Sequence, residues 1–117
     1  MGRYGGLTLR VLGKGAPAMG PGKAELIARI AETGSISAAA RAMGMSYRRA
    51  WQLVEALNRD YREPVIATAI GGRRGGGAQA TDFGKRLVAR FRVMESKASA
   101  AIAADLRRFA ADLRKKR

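Results

Sequence analysis

The sequence predicts a mainly α fold with a small β-wing (α+β), a winged helix-turn-helix with a long carboxy-terminal dimerisation helix. Three observations predict it. Two short helical patterns meet at Gly44, small alanines in the first and a serine-capped, basic second. Two β-prone runs then flank a glycine-rich turn, and an apolar stripe at helical spacing follows from Phe83 to Leu113. At 117 residues with 47% apolar content, the chain suits one compact unit.

Leu7 to Leu12 read LTLRVL, in which Leu7, Leu9 and Val11 share the face of a short half-buried strand. The stretch from Gly13 to Gly22 is a Gly/Pro-rich connection. Leu26, Ile27, Ile30 and Ala31 then recur at helical spacing until Gly34 supplies a stop. Ser35 or Ser37 can cap a second helix whose Ala38, Ala39, Ala40 and Ala42 permit close helix approach, and Gly44 ends it. Ser46 caps a third helix, in which Ala50, Leu53, Val54 and Leu57 share one face. Pro64 prevents helical continuation, so VIATAI from Val65 to Ile70 reads as a strand facing a second one at Ala78 to Thr81 across GGRRGGG. Thr81 caps the last helix, with Asp82 at its positive end, and the stripe is Phe83, Leu87, Phe91, Met94, Ala98, Ile102, Leu106, Phe109 and Leu113. The expected organisation is a head over 1–81, with a recognition helix at about 46–59 and a wing at about 65–81, and a long helix with a basic tail over 82–117.

Lys and Arg number 23 against 9 Asp and Glu, a net charge of +14 that favours a polyanionic partner. The chain holds no cysteine and no histidine, which removes thiolate nucleophiles, zinc fingers and the commonest general base. The nine acids form no cluster that spacing marks as a hard-metal site. Catalytic residues, a metal and a cofactor are therefore not expected. No apolar run approaches the 18 or so residues of a spanning helix, and the first ten residues lack the apolar core of a secretory signal, so a cytoplasmic, nucleoid-associated protein is expected.

With the apolar face of the third helix inward, about 100° per residue turns Arg48, Gln52, Glu55 and Arg59 outward. Residues of the first turn reach base edges most easily, which makes Ser46, Tyr47, Arg48, Arg49 and Gln52 candidate contacts to double-stranded DNA. Arg48 suits a guanine edge or a phosphate, and Gln52 suits adenine N6 and N7. Tyr47 and Trp51 lie on flanks between core and groove. Packing at the core edge is the first expectation for Trp51, contact with the sugar-phosphate the second. Arg73 and Arg74 at the turn are the wing's candidates for phosphate or minor-groove contact. GGRRGGG lacks the Lys-Ser/Thr ending of a nucleotide loop. A last helix of roughly 45 Å exceeds what a small head needs. Its face of Phe91, Met94, Ala98, Ile102, Leu106 and Phe109 is the expected homodimer interface, paired antiparallel, with folding back on the same head as the alternative. RKKR at the end reads as a solvated helix end favoured by the dipole.

GSISAAARAMGMSYRRAW, from Gly34 to Trp51, resembles the helix-turn-helix of the ModE family of molybdate-responsive regulators, whose head is itself LysR-like. GGRRGGGAQATDFGKRL, from Gly71 to Leu87, resembles that family's wing and the start of its dimer helix. The resemblance covers most of residues 7 to 113. It implies a dimer on an inverted repeat in promoter DNA, with Ser46, Tyr47, Arg48 and Trp51 in the recognition helix and Arg73 and Arg74 in the wing. It further implies control of molybdenum-related genes. Family members sense molybdate through separate carboxy-terminal domains, and the sequence ends at Arg117, so direct molybdate binding is not expected of these residues. The competing readings are a non-specific architectural DNA-binding protein, a helix-mediated partner of another regulator, and a weak oxyanion binder.

Overall fold

The computed structural model describes residues 6–69 and 77–115. Strand β1 (Val11–Leu12) pairs antiparallel with β2 (Pro17–Met19). The second strand lies inside the stretch expected to be a plain connection. Its turn closes by Gly13 donating to the Ala16 carbonyl at 2.9 Å, with Gly15 at φ 82°, a left-handed conformation that favours glycine. Leu9 and Val11 pack on the core as the alternation predicts, whereas Leu7 stays exposed.

Helix α1 (Pro21–Thr33) starts with proline at its first position and stops at Gly34, φ 70°. It buries Leu26, Ile27 and Ile30 but leaves Ala31 in solvent. Helix α2 (Ile36–Ala42) is capped by Ser35, whose Oγ accepts from the Ala38 N–H at 3.0 Å, which settles the choice between Ser35 and Ser37. Ala39 and Ala40 are buried; Ala42 is not. Helix α3 (Tyr47–Asp60) is capped by Ser46, which accepts from Arg49 N–H at 3.0 Å, and it turns Ala50, Val54 and Leu57 inward.

Strands β3 (Ile66–Ala69) and β4 (Gly77–Ala80) form the antiparallel ribbon expected there, in register Ile66 with Ala80 and Ala69 with Gly77. Helix α4 (Asp82–Ala101) follows after one residue. Thr81 Oγ1 donates to the Pro64 carbonyl at 2.7 Å and accepts from Gly84 N–H at 2.9 Å. Glycine is required at 84, because a Cβ there would lie 2.4 Å from the Val65 carbonyl oxygen.

The last helix departs from expectation. It breaks at Ile102 (φ −113°, ψ 18°), and α5 (Ala103–Ala111) follows as a separate segment. A ψ of that sign turns the peptide out of the helical ladder. Neither proline nor glycine marks the place, so no sequence signal announced it. Val88 and Phe91 of α4 join α1 and the ribbon in the core with Val65, Ile66, Ala78 and Phe83. Among the described residues no polar side chain is buried, and no helix is long and apolar enough to cross a membrane.

Candidate nucleic-acid interface

Helix α3 presents three distinct sides. Its core side is Ala50, Val54 and Leu57, with Leu53 half-buried beside them. The opposite side consists of Arg48, Gln52, Glu55 and Arg59, all exposed, as the periodicity predicts. Among the described residues Arg48 and Gln52 form no hydrogen bond or ion pair with the rest of the fold, and Arg59 reaches its neighbour Asp60 at 3.2 Å. The result is a projecting row of two guanidinium groups, an amide and one carboxylate, suited to hydrogen bonding along a groove.

Tyr47 and Trp51, one turn apart, form the third side. Their rings stack at 6.5 Å between centroids and 7° between planes, and they remain 55% and 36% exposed. Trp51 stands between the two expectations for it, largely covered at the edge of the core yet 36% exposed. Its indole packs on Tyr47, and both rings line a cleft of about 330 Å³ together with Ile36, Ser37, Thr68 and Ala78. Positions 47 and 51 sit about 60–100° from the centre of the buried arc, at its edge, which leaves both rings partly in solvent. Of the other first-turn candidates, Ser46 spends its hydroxyl on the cap and Arg49 is exposed. Arg73 and Arg74 lie outside the described residues.

The residue missed in the sequence is Asn58. Its Oδ1 accepts from Val65 N–H at 2.8 Å and Ile66 N–H at 3.0 Å, and its Nδ2 donates to the Ile66 carbonyl at 2.9 Å. One side chain thus fixes the angle between α3 and the ribbon. A polar residue at the position 11 after Tyr47, on the same flank of the helix, was the only available signal. Tyr61 makes a similar tie, donating to the Ala18 carbonyl of β2 at 2.9 Å. Burial raises its pKa above the ordinary value of 10.0, and neighbouring Asp60 raises it further.

The expected dimer face divides. Phe91 is 2% exposed within its own head, packed beside Val88, and cannot serve an interface as well. The stripe's periodicity was right, but its upper part faces the same chain. Met94 is exposed, Ala98, Ile102 and Leu106 are half-buried, and Phe109 is 68% exposed. Val93 and Leu113 add to the exposed apolar surface.

No group of three or more metal-ligating side chains occurs among the described residues. Residues 22–85 match the model of the bacterial regulatory helix-turn-helix proteins of the lysR family. Over 86 residues the chain is 44% identical to the molybdenum-pterin-binding protein MopB of Rhodobacter capsulatus, covering 74% of this chain and 32% of that protein. It is 41% identical over 70 residues to the molybdenum transport protein ModE of Azotobacter vinelandii, covering 60% of this chain and 26% of that one. Identity to the DNA-binding transcriptional dual regulator ModE of Escherichia coli K12 is 38% over 68 residues, 58% of this chain and 26% of the relative. The chain therefore spans between about a quarter and a third of the length of these curated relatives. Among solved structures, ArgP from Mycobacterium tuberculosis superposes with a TM-score of 0.51 at 25% identity, covering 74% of this chain and 31% of that one.

Proposed function

The chain belongs to the bacterial regulatory helix-turn-helix proteins of the lysR family, and from that membership we propose that it regulates transcription by reading double-stranded DNA as a homodimer on an inverted repeat. The observation that carries this is the outward side of α3, where Arg48, Gln52, Glu55 and Arg59 project together. In this reading α3 enters the major groove, Gln52 bridges adenine N6 and N7, and Arg48 takes a guanine edge or a phosphate. The Tyr47–Trp51 pair presses on sugar or base methyl groups at the flank, and Arg73 and Arg74 engage phosphates or the minor groove.

The dimer is supported by the apolar surface that one chain leaves uncovered at Met94 on α4, at Phe109 on α5 and at Leu113 just beyond it. Antiparallel pairing of those helices covers it and gives the two-fold axis that an inverted repeat requires. Relatives named for molybdenum transport and molybdenum-pterin binding support molybdenum-related target genes. Molybdate binding is not part of this proposal for residues that span only about a quarter to a third of those relatives. The work is done in the cytoplasm, on the chromosome.

Selection from a random duplex library at near-physiological salt tests the reading. Enrichment of a two-fold repeat with half-sites about one helical turn (~34 Å) apart is the expected result. Strong binding with no enriched motif would instead favour an architectural protein, for which the net charge of +14 is the supporting observation.

A further inference from the structure

Sequence patterning assigns the DNA contacts to α3 and the wing, and reads Leu7 to Leu12 as a lone strand followed by a plain connection to α1. The structure puts a hairpin there, on the other flank of α3. Between hairpin and helix runs a groove of about 470 Å³, lined by Arg10 and Gly20 on one side, Lys23 at the start of α1, and Arg49, Gln52 and Ala56 on α3. Three cations line it and no carboxylate does. Arg10 and Arg49 are exposed, and neither forms an ion pair with a described carboxylate.

Helix geometry gives this groove its place. Arg49 and Ala56 lie on the side of the outward row opposite to Tyr47, Trp51 and Asn58, so the row is bracketed by the ribbon on one flank and the hairpin on the other. Gln52 belongs to both the row and the groove lining. The hairpin is held in position by specific ties. Lys23 Nζ donates to the Pro17 carbonyl at 2.8 Å, Tyr61 holds Ala18, and the stem of Arg10 lies over Gly20, where a Cβ would come 3.4 Å from Arg10 Cγ.

We infer that the amino-terminal hairpin is a second backbone clamp: Arg10, Lys23 and Arg49 hold the sugar-phosphate strand of duplex DNA that borders the groove on the side away from the wing. The inference rests on the reading of α3 as the recognition helix. A groove with cations and no acid attracts a polyanion, and its continuity with Gln52 places that polyanion alongside the bases that Gln52 reaches. Phosphate contacts set register and orientation and carry no sequence information, so the clamp adds affinity without altering the motif.

The test uses the full chain and the duplex enriched in the selection, with a scrambled duplex of equal length. Affinities of wild type, Arg10→Ala, Arg10→Lys and the control Arg90→Ala, an exposed cation of α4, are measured over a series of salt concentrations, with circular dichroism to verify folding. Arg10→Ala is expected to weaken binding severalfold on both duplexes. It should flatten the slope of log affinity against log salt by about one per bound protomer, with Arg10→Lys restoring it. Ethylation interference should mark phosphates beyond the half-site edge opposite the wing. An unchanged slope for Arg10→Ala, or an equal change for Arg90→Ala, overturns the clamp while leaving α3 as the reader. If wild type itself binds no duplex, or enriches no motif, it is the underlying reading that fails.

Discussion

Asn58 ties α3 to the strand that follows it, Tyr61 reaches 43 residues back to β2, and both invite a direct test. Replacing Asn58 with alanine removes an acceptor shared by two backbone N–H groups and a donor to a carbonyl. Leaving such groups unpaired in a half-buried joint should cost about 2 kcal/mol, seen as a fall of about 10 °C in the thermal midpoint. Sequence selectivity should suffer as well, since the angle between α3 and the ribbon is released. Tyr61 has its proton held in the folded state by desolvation and by Asp60. Stability linked to it is fully present below pH 10, the unfolded value, and is lost as the pH rises towards the higher folded value. Tyr61→Phe should therefore cost about 1 kcal/mol at neutral pH for the lost hydrogen bond. Above pH 10 the gap to wild type should narrow, which denaturant titrations at pH 8 and pH 11 would measure.

At the scale of elements, what was legible in the sequence had local causes. The caps at Ser46 and Thr81, the left-handed stop at Gly34 and the inward face of α3 all follow from residues within about two turns of each other. What escaped had distant causes. Strand β2 is three residues beginning with proline, and it exists because β1 and the Tyr61 hydroxyl meet it. The break at Ile102 falls in a run of good helix formers. Periodicity identified the stripe on α4 but cannot say which surface a stripe faces, which is why Phe91 was read as an interface residue. That distinction yields a paired prediction. Phe91→Ala should lower the unfolding midpoint by an amount equivalent to about 3–5 kcal/mol at every protein concentration. Met94→Glu should leave the head folded and shift sedimentation towards the monomer. If Met94→Glu sediments as wild type does, the uncovered face of α4 is not where two chains meet.

Taken whole, the molecule distributes its charge unevenly. Three of the nine acids, Glu25, Glu32 and Glu95, line the groove between α1 and α4, alongside Arg29 and Arg92. The hairpin groove beside α3 has none. A duplex therefore meets cations alone on the hairpin side of α3 and mixed charge between α1 and α4, which orients approach before any base is read. Binding to a scrambled duplex should accordingly fall on the order of 10³-fold between 50 and 200 mM salt, as it does when several phosphates are neutralised. The enriched duplex should keep its relative advantage throughout, a comparison that fluorescence anisotropy would make. Between the ribbon and α4 stands a single residue, Thr81, whose hydroxyl is bonded on both sides, and Gly84 abuts the Val65 carbonyl one turn later. A caliper with so little play at its pivot measures one span: a residue inserted within the first turn of α4 would turn the rest of that helix by about 100° and advance it by about 1.5 Å, and the homodimer proposed above would no longer hold its two heads at the same spacing.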